Sequence, residues 1–384
     1  MKETLRRRIV LVILYLGFIS LGLPDQILGI AWPDMRADFG KPLDWAGILV
    51  VMTAALTAFS GFVSGFFIRR FSVQSILIVC CLMTALGLCG YSWSNRWLLL
   101  VLSTIPLGLG AGAIDASLNN YVANNYSSRH MNWLHACWGI GATLGPTVMT
   151  FVLAHGQSWR TGYFAIAASQ FMLLVVFVAT LRLWKQQKQE EPAEIAAGKK
   201  FKLFSVRPLC ALGMFFIYSS VEVSLGLWFY SVLVEGRRVT AAMAGSWIVI
   251  YWSLLTFGRF AVGIFSNRLG NLRIIRWGLR GTLLGIVLLL PHNDFLTAFG
   301  LGLCGLALAG IYPSMMHETP VRFGKKAGAL MMGFQAGMSS LGVSLLVPLY
   351  GVVIERTSLE CLTPMLFSAI AAMYALNRIL EQKA

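Results

Sequence analysis

Twelve apolar stretches run through the 384 residues of this chain, at 9–32, 46–68, 74–93, 97–124, 132–154, 158–184, 208–233, 241–266, 272–290, 295–315, 326–354 and 361–379. A helix needs roughly 20 apolar residues to cross a bilayer, so this pattern predicts an all-α membrane protein of twelve transmembrane helices. Composition agrees: 57% of residues are hydrophobic and 12% charged, more apolar surface than a water-facing fold can hide. An acid, Asp25, sits inside the first stretch beside Pro24. A carboxylate in hydrocarbon is tolerated only where it faces protein or a water-filled cavity, which makes it a functional residue by default. The expectation is a chain that moves a solute across a membrane.

Lys2, Arg6, Arg7 and Arg8 precede the first stretch as they would a signal peptide, but the apolar run is too long and eleven more follow, so it reads as one uncleaved helix. The net charge of +15 does not point to nucleic acid, because the basic residues sort by side of the membrane. Both tails and the even-numbered turns hold Arg69, Arg70, Arg129, Arg182, Arg207, Arg268 and Arg322 among others; the opposite side holds far fewer, including Arg36, Arg96, Arg160 and Arg237. That asymmetry predicts cytoplasmic termini in a cell (inner or plasma) membrane. Seven cysteines with no CxxC pair read as buried small hydrophobes. Five scattered histidines lack metal spacing, so neither metal nor cofactor is expected, and an enzyme is disfavoured.

Residues 185–207 turn polar and charged, with Pro192 and Gly198 as breakers, and read as a cytoplasmic linker between an N-terminal bundle, 1–184, and a C-terminal bundle, 208–384. At an offset of 197, Asp25 aligns with Glu222, Gly29 with Gly226, Gly108 with Gly305 and Asp115 with Tyr312. Such parallel repeats build a midplane site between two bundles.

The turn after the eighth span carries Gly258, Arg259, Gly263, Asn267, Arg268 and Gly270; that after the second carries Gly65, Arg69 and Arg70. These resemble the Gly-x-x-x-Asp-Arg-x-Gly-type signature of the major facilitator superfamily, with Asn267 and Arg69 at the acid position. The chain also resembles that superfamily's fucose permease-like, sugar and proton cotransporting branch, through Asp25, Asp115 with Asn119, Glu222 with Gly226 and Trp228, and Ile311 to Pro313. The resemblance implies a monomer of two pseudo-symmetric six-helix bundles and casts Gly65, Arg70, Arg259, Gly263 and Arg268 as gating residues.

Gly22, Asp25 and Gly29 fall at helical spacing and predict one inward face. Gly108, Gly112, Asp115 and Asn119 form a second stripe, with Pro106 able to kink its helix. Glu222 lies four residues from both Tyr218 and Gly226, and either Arg259 or Arg280 is its expected partner. Asp25, Asp115 and Glu222 are the candidate proton-coupling groups. Sugar recognition calls for amides against hydroxyls and flat rings against C–H faces; the candidates are Gln26, Asn119, Asn120, Gln335, His135, Trp138, Trp247, Trp252 and Tyr312. Trp32, Trp45, Trp97 and Trp159 read as interfacial belt anchors. Gly141, Gly145 and Pro146 partly match a drug–proton antiporter motif and otherwise read as a close-packing face. The sequence therefore predicts proton-coupled uptake of a small polar solute, a monosaccharide, with proton-coupled export of an amphipathic compound as the alternative.

Overall fold

The computed structural model describes residues 3–25, 27–42, 45–184 and 203–382. They form fourteen α-helices: α1 Glu3–Gly22, α2 Ile27–Phe39, α3 Ala46–Arg70, α4 Val73–Trp93, α5 Trp97–Asn125, α6 Ser128–Ala154, α7 Trp159–Ala179, α8 Val206–Ser231, α9 Ala241–Leu269, α10 Asn271–Leu288, α11 Asp294–Leu308, α12 Ile311–Phe323, α13 Lys325–Arg356 and α14 Leu362–Gln382. Ser72, Ser158, Thr240 and Asn293 cap helix starts by accepting from backbone N–H groups, satisfying donors that have no intrahelical acceptor. No strand occurs among the described residues. The fold is an all-α membrane fold, and eleven of its helical stretches are long and apolar enough to cross a bilayer. The predicted ninth span, α10, is the one that falls short, because Arg273, Arg276 and Arg280 lie within its 18 residues.

Contacts divide the chain into two compact units. One comprises Met1–Tyr121, Cys137–Phe201 and Met332–Gly337; the other comprises Val122–Ala136, Lys202–Met331 and Met338–Ala384. Of the expected linker, residues 185–202 lie outside the described residues. In the first unit α4 packs along α7; in the second, α10 and α9 pack on α11, and α14 on α8.

Two predicted spans are broken. The first is not one helix: α1 ends at Gly22 and α2 begins at Ile27, with a turn over 23–25. Pro24 explains the stop, since it has no N–H to give to the carbonyl four residues earlier. That carbonyl, on Ser20, accepts instead from Gln170 Nε2 of α7 at 2.8 Å. The predicted tenth span breaks at Ala309 and Gly310, between α11 and α12. There the Leu308 carbonyl accepts from the Tyr218 hydroxyl at 3.0 Å. Irregular backbone at membrane depth survives only where protein or water supplies such partners.

The break also ends the predicted Gly22, Asp25, Gly29 face. A Cβ on Gly22 would stand 2.3 Å from the Trp138 carbonyl oxygen, whereas one on Gly29 would meet nothing within 4 Å. Opposite the break, Gly141 and Gly145 of α6 let the Ile19 and Leu23 carbonyls approach so closely that a Cβ would lie 1.9 Å from each oxygen. The close-packing reading of these glycines is thus what the structure displays. The belt-anchor reading fails for Trp159 and Trp32, which are 1% and 4% exposed. Both join an aromatic cluster with Tyr91, Tyr163 and Trp97, and Trp159 Nε1 donates to Asp38 Oδ2 at 2.9 Å. The spacing that marks a span end does not say which way an indole points.

One buried clamp holds the end of α8 to its neighbours in the second unit. Arg237, after a π-helical turn over Val232–Gly236, donates to both Glu360 carboxylate oxygens at 2.8 and 2.7 Å, to the Leu289 carbonyl at 2.7 Å and to Thr297 Oγ1 at 3.2 Å. Lysine has neither the fork nor the number of donors. Arg237→Lys is expected to lower stability by about 1.5–3 kcal/mol, the worth of a charged hydrogen bond, read as a lower thermal midpoint in detergent. Gly141→Ala should cost about 1–3 kcal/mol by overpacking against backbone, while Gly29→Ala stays neutral or better; equal midpoints for the two glycine variants would refute the packing role.

Candidate functional site

The first unit gathers two acids. Asp25, in the turn after α1, is exposed, and its Oδ2 accepts from Trp138 Nε1 of α6 at 2.8 Å. Gly22 fixes that meeting by letting α1 touch the backbone of α6 at Trp138 itself. Asp115, on α5, is half-buried and accepts from Asn119 Nδ2 through Oδ1 at 3.0 Å; the same amide donates to the Asp115 carbonyl at 2.9 Å. Each is held by a neutral donor, so each has room to gain or lose a proton without orphaning a cation. Asn119, Asn120 and Gln335 are buried in this unit. Gln26 lies outside the described residues.

Close glycine contacts place the α5 stripe. A Cβ on Gly112 would stand 2.2 Å from the Thr57 carbonyl oxygen and one on Gly108 2.9 Å from that of Thr53, so α5 lies directly on α3. The Asp115 carboxylate is therefore carried on a helix in backbone-to-backbone contact with its neighbour. Pro106 sits inside the continuous α5. Gly65, one of the predicted gating residues, lies on α3 where a Cβ on Gly333 would come within 2.9 Å of its nitrogen. Arg70 is exposed at the end of that helix, and the Arg69 side chain lies outside the described residues.

The second unit is organised about one ion pair. Glu222 of α8 and Arg259 of α9 are 8% and 3% exposed, and Arg259 Nη2 reaches both carboxylate oxygens, at 3.0 and 3.3 Å. Of the two cations the sequence left open, Arg259 is the partner; Arg280 is exposed and approaches the Tyr374 hydroxyl at 3.5 Å. Arg259 Nη1 also approaches the His135 carbonyl at 3.5 Å, and the Tyr251 hydroxyl donates to the Glu222 backbone oxygen at 2.8 Å. Tyr312, beside the α11–α12 break, sits 5.0 Å from the His135 ring, 4.8 Å from Phe215 and 5.5 Å from Tyr218, centroid to centroid. Trp252 packs where Gly226 leaves room, a Cβ there lying 2.4 Å from its ring; Trp247 is buried on the same helix, α9.

The signature turn forms a second polar network. A Cβ on Gly263 would stand 2.4 Å from the Trp133 indole, whose Nε1 donates to the Phe260 carbonyl at 3.1 Å. Asn267 Oδ1 accepts from the Arg129 backbone N–H at 3.4 Å, at the start of α6, so the amide at the usual acid position takes a helix-terminal donor without a charge. Ser128 Oγ donates to Asn271 Oδ1, and Asn271 Nδ2 faces Glu318 at 2.9 Å and His317 Nδ1 at 3.0 Å. Since His317 Nδ1 accepts there, its Nε2 carries the proton that goes to the Tyr126 carbonyl at 3.2 Å. Arg268 is exposed at the end of α9. Sequence reasoning missed Asn271, His317 and Tyr251: single polar residues on unbroken helices give no pattern until their neighbours are known. No cluster able to hold a metal ion is found among the described residues.

A family model described as the Major Facilitator Superfamily matches residues 14–346. The chain is 22% identical over 319 residues to the glucose/mannose transporter of Bacillus subtilis, covering 78% of this chain and 77% of that one. It is 21% identical over 378 residues to the cis,cis-muconate transport protein of Acinetobacter baylyi, covering 88% and 90%. A crystal structure of the superfamily transporter FucP in an outward conformation superposes with a TM-score of 0.79 at 14% identity, covering 96% of this chain and 98% of that one.

Truncating one member of the buried pair leaves the other charge unpaired, which costs about 3–5 kcal/mol. Arg259→Met is expected to destabilise the protein on that scale, and Glu222→Met in addition to recover most of it. Thermal unfolding followed by intrinsic fluorescence checks both; a double variant no better than the single would show that the pair is not coupled.

Proposed function

Because the chain belongs to the major facilitator superfamily, and is thus a multi-pass membrane transporter and not an enzyme, we propose that it takes up a small polar solute of the monosaccharide class together with protons. The observation that carries the reading is the arrangement of Asp25: an exposed carboxylate at a helix break, held by the Trp138 indole and paired with no cation among the described residues. A carboxylate so placed can load and unload a proton as access alternates, and Asp115, amide-bonded on α5, is positioned to share it. The relatives that move glucose, mannose and cis,cis-muconate support a solute of that size and polarity, as does the supply of buried amides and aromatic rings near both sites.

In this reading residues 1–184 and 208–384 form two bundles joined by the 185–207 linker and work as a monomer. The termini lie in the cytoplasm, following the charge asymmetry of the turns. The cycle has Asp25 protonate from outside, the solute bind at the amide and aromatic groups, and Asp115 help the proton leave inside. At 100 mV one proton contributes about 2.3 kcal/mol from the potential alone, roughly fiftyfold accumulation.

The test is solute-dependent alkalinisation of the medium around de-energised cells expressing the protein, with hexoses and deoxyhexoses as solutes. Asp25→Asn should abolish both alkalinisation and accumulation while leaving exchange of labelled solute across the membrane. Acidification on solute addition would point to export by antiport, and undiminished accumulation in the variant would remove Asp25 from the coupling.

A further inference from the structure

α10 carries Arg273, Arg276 and Arg280 within its first ten residues, and its exposed side shows where they stand in a bilayer. Arg273, Trp277, Arg280, Leu284 and Val287 are all exposed and follow one another at steps of four, three, four and three residues, a single stripe along the helix. Arginine and tryptophan fill that stripe as far as Arg280, and beyond it the stripe is aliphatic. Tryptophan favours the headgroup level, and Trp277 is 58% exposed. The boundary between headgroups and acyl chains therefore falls close to Arg280, roughly 14 Å along α10 from Asn271.

A second helix of the same unit brings its own cation to this level. α14 runs antiparallel to α10: Arg276 Nε lies 3.6 Å from Glu381 Oε1 near the end of α14, and Arg280 Nη2 approaches the Tyr374 hydroxyl two turns earlier at 3.5 Å. Arg378 is exposed and stands one turn from each of these α14 residues. The patch sets the guanidiniums of Arg273, Arg276, Arg280 and Arg378 against the Glu381 carboxylate, which already accepts from Asn377 Nδ2 at 3.0 Å. Arg280 has a neutral hydroxyl as its partner, and among the described residues no acid lies within ion-pair distance of Arg280 or Arg378.

An arginine at the edge of the hydrocarbon is stable when an anion meets it there, and what a bilayer supplies at that depth is lipid phosphate. A guanidinium binds phosphate through two parallel hydrogen bonds, and basic pockets between spanning helices are where acidic headgroups lodge. We infer that the face shared by α10 and α14 is a binding site for an anionic phospholipid, with its phosphate on Arg276, Arg280 and Arg378 and an acyl chain along Leu284 and Val287. Net charge selects the lipid. A zwitterionic headgroup brings a cation that the surplus guanidiniums repel, whereas a phosphatidylglycerol headgroup brings none. The site faces lipid and does not depend on which solute is carried. It also gives α10, whose arginines keep it from reading as a span, counterions at its basic end.

The experiment uses the purified full chain, delipidated in a non-ionic detergent and titrated with phosphatidylglycerol or with phosphatidylcholine of the same acyl chains. Native mass spectrometry counts the bound lipid, and the thermal midpoint reports its effect. Phosphatidylglycerol should bind at least tenfold more tightly, on the order of one charge-assisted hydrogen bond, and should raise the midpoint where phosphatidylcholine does not. Arg280→Gln and Arg378→Gln, both at exposed positions where substitution costs little, should keep the lipid-free midpoint and each weaken phosphatidylglycerol roughly tenfold. Arg280→Lys keeps the charge and loses the fork; it should fall between wild type and R280Q, and it carries the comparison if the amide variant does not fold. R96Q/R356Q removes two exposed arginines outside α10 and α14 and should bind as wild type does. Inorganic phosphate at the lipid's concentration should not displace it, lacking the chain that rests on Leu284 and Val287.

Equal affinity for the two lipids, or wild-type affinity for phosphatidylglycerol in R280Q and R378Q, would overturn the inference. So would displacement by inorganic phosphate, which would make the patch a site for a soluble anion. A loss in R96Q/R356Q as large as in the α10 and α14 variants would do the same, by reducing the attraction to overall charge.

Discussion

In hydrocarbon a backbone carbonyl that loses its helical donor must find another, and in this chain both helix breaks depend on a single side chain doing so. Gln170 holds the Ser20 carbonyl that Pro24 leaves without a partner, and Tyr218 holds the Leu308 carbonyl at the α11–α12 break. Each break in turn positions a residue with chemistry to offer: Asp25 at the first and Tyr312 beside the second. A continuous helix at either place would rotate these side chains by 100° per residue, away from Trp138 in one unit and from His135 in the other. The satisfied carbonyls are thus what allow an interrupted backbone, and the interrupted backbone is what sets the sites.

Glycine does the complementary work of letting backbones meet. The Cβ distance is 1.9 Å from Gly141 to the Ile19 oxygen in the first unit and 1.9 Å from Gly342 to the Phe216 oxygen in the second; positions 19 and 216 keep the 197-residue offset that aligns Asp25 with Glu222, while the two glycines lie one helical turn out of that register. Gly108 against Thr53 and Gly305 against Tyr251 are a second such pair within a residue of register. Packing has kept the repeat where chemistry has not. Gly29 meets nothing while its counterpart Gly226 seats Trp252, and α5 runs unbroken through the stretch where its counterpart divides into α11 and α12.

Much of this was legible beforehand because it rests on composition and spacing. Apolar length located eleven of the twelve expected spans among the described residues, and the glycine stripe on α5 reads as close packing, which the Gly112 contact with Thr57 displays. The sequence leaves Arg259 and Arg280 open as partners of Glu222, and the structure pairs it with Arg259. The illegible part depends on direction. Pro24 sits in an apolar run that hydropathy reads straight through, so the break was missed, and with it the loss of the Gly29 face. Trp159 stands at a span end, yet Asp38 turns it inward by accepting its N–H; the two residues are 121 positions apart. α10 was placed correctly as a helix, but three arginines on it show that apolar length and lipid exposure are separate properties.

The two units solve the problem of a membrane acid in different ways. Asp25 and Asp115 are held by an indole and an amide, neutral donors that bond the carboxylate without forming an ion pair. Glu222 is held by a guanidinium that cannot give up its charge, so removing either partner exposes the other's buried charge. A neutral contact of the same kind occurs at the signature turn, where Asn267 accepts the Arg129 N–H. An amide there makes the hydrogen bond without a titratable charge. Where this chain keeps an ion pair and where it uses a neutral amide therefore separates contacts that bury charge from contacts that join helices by hydrogen bonds alone.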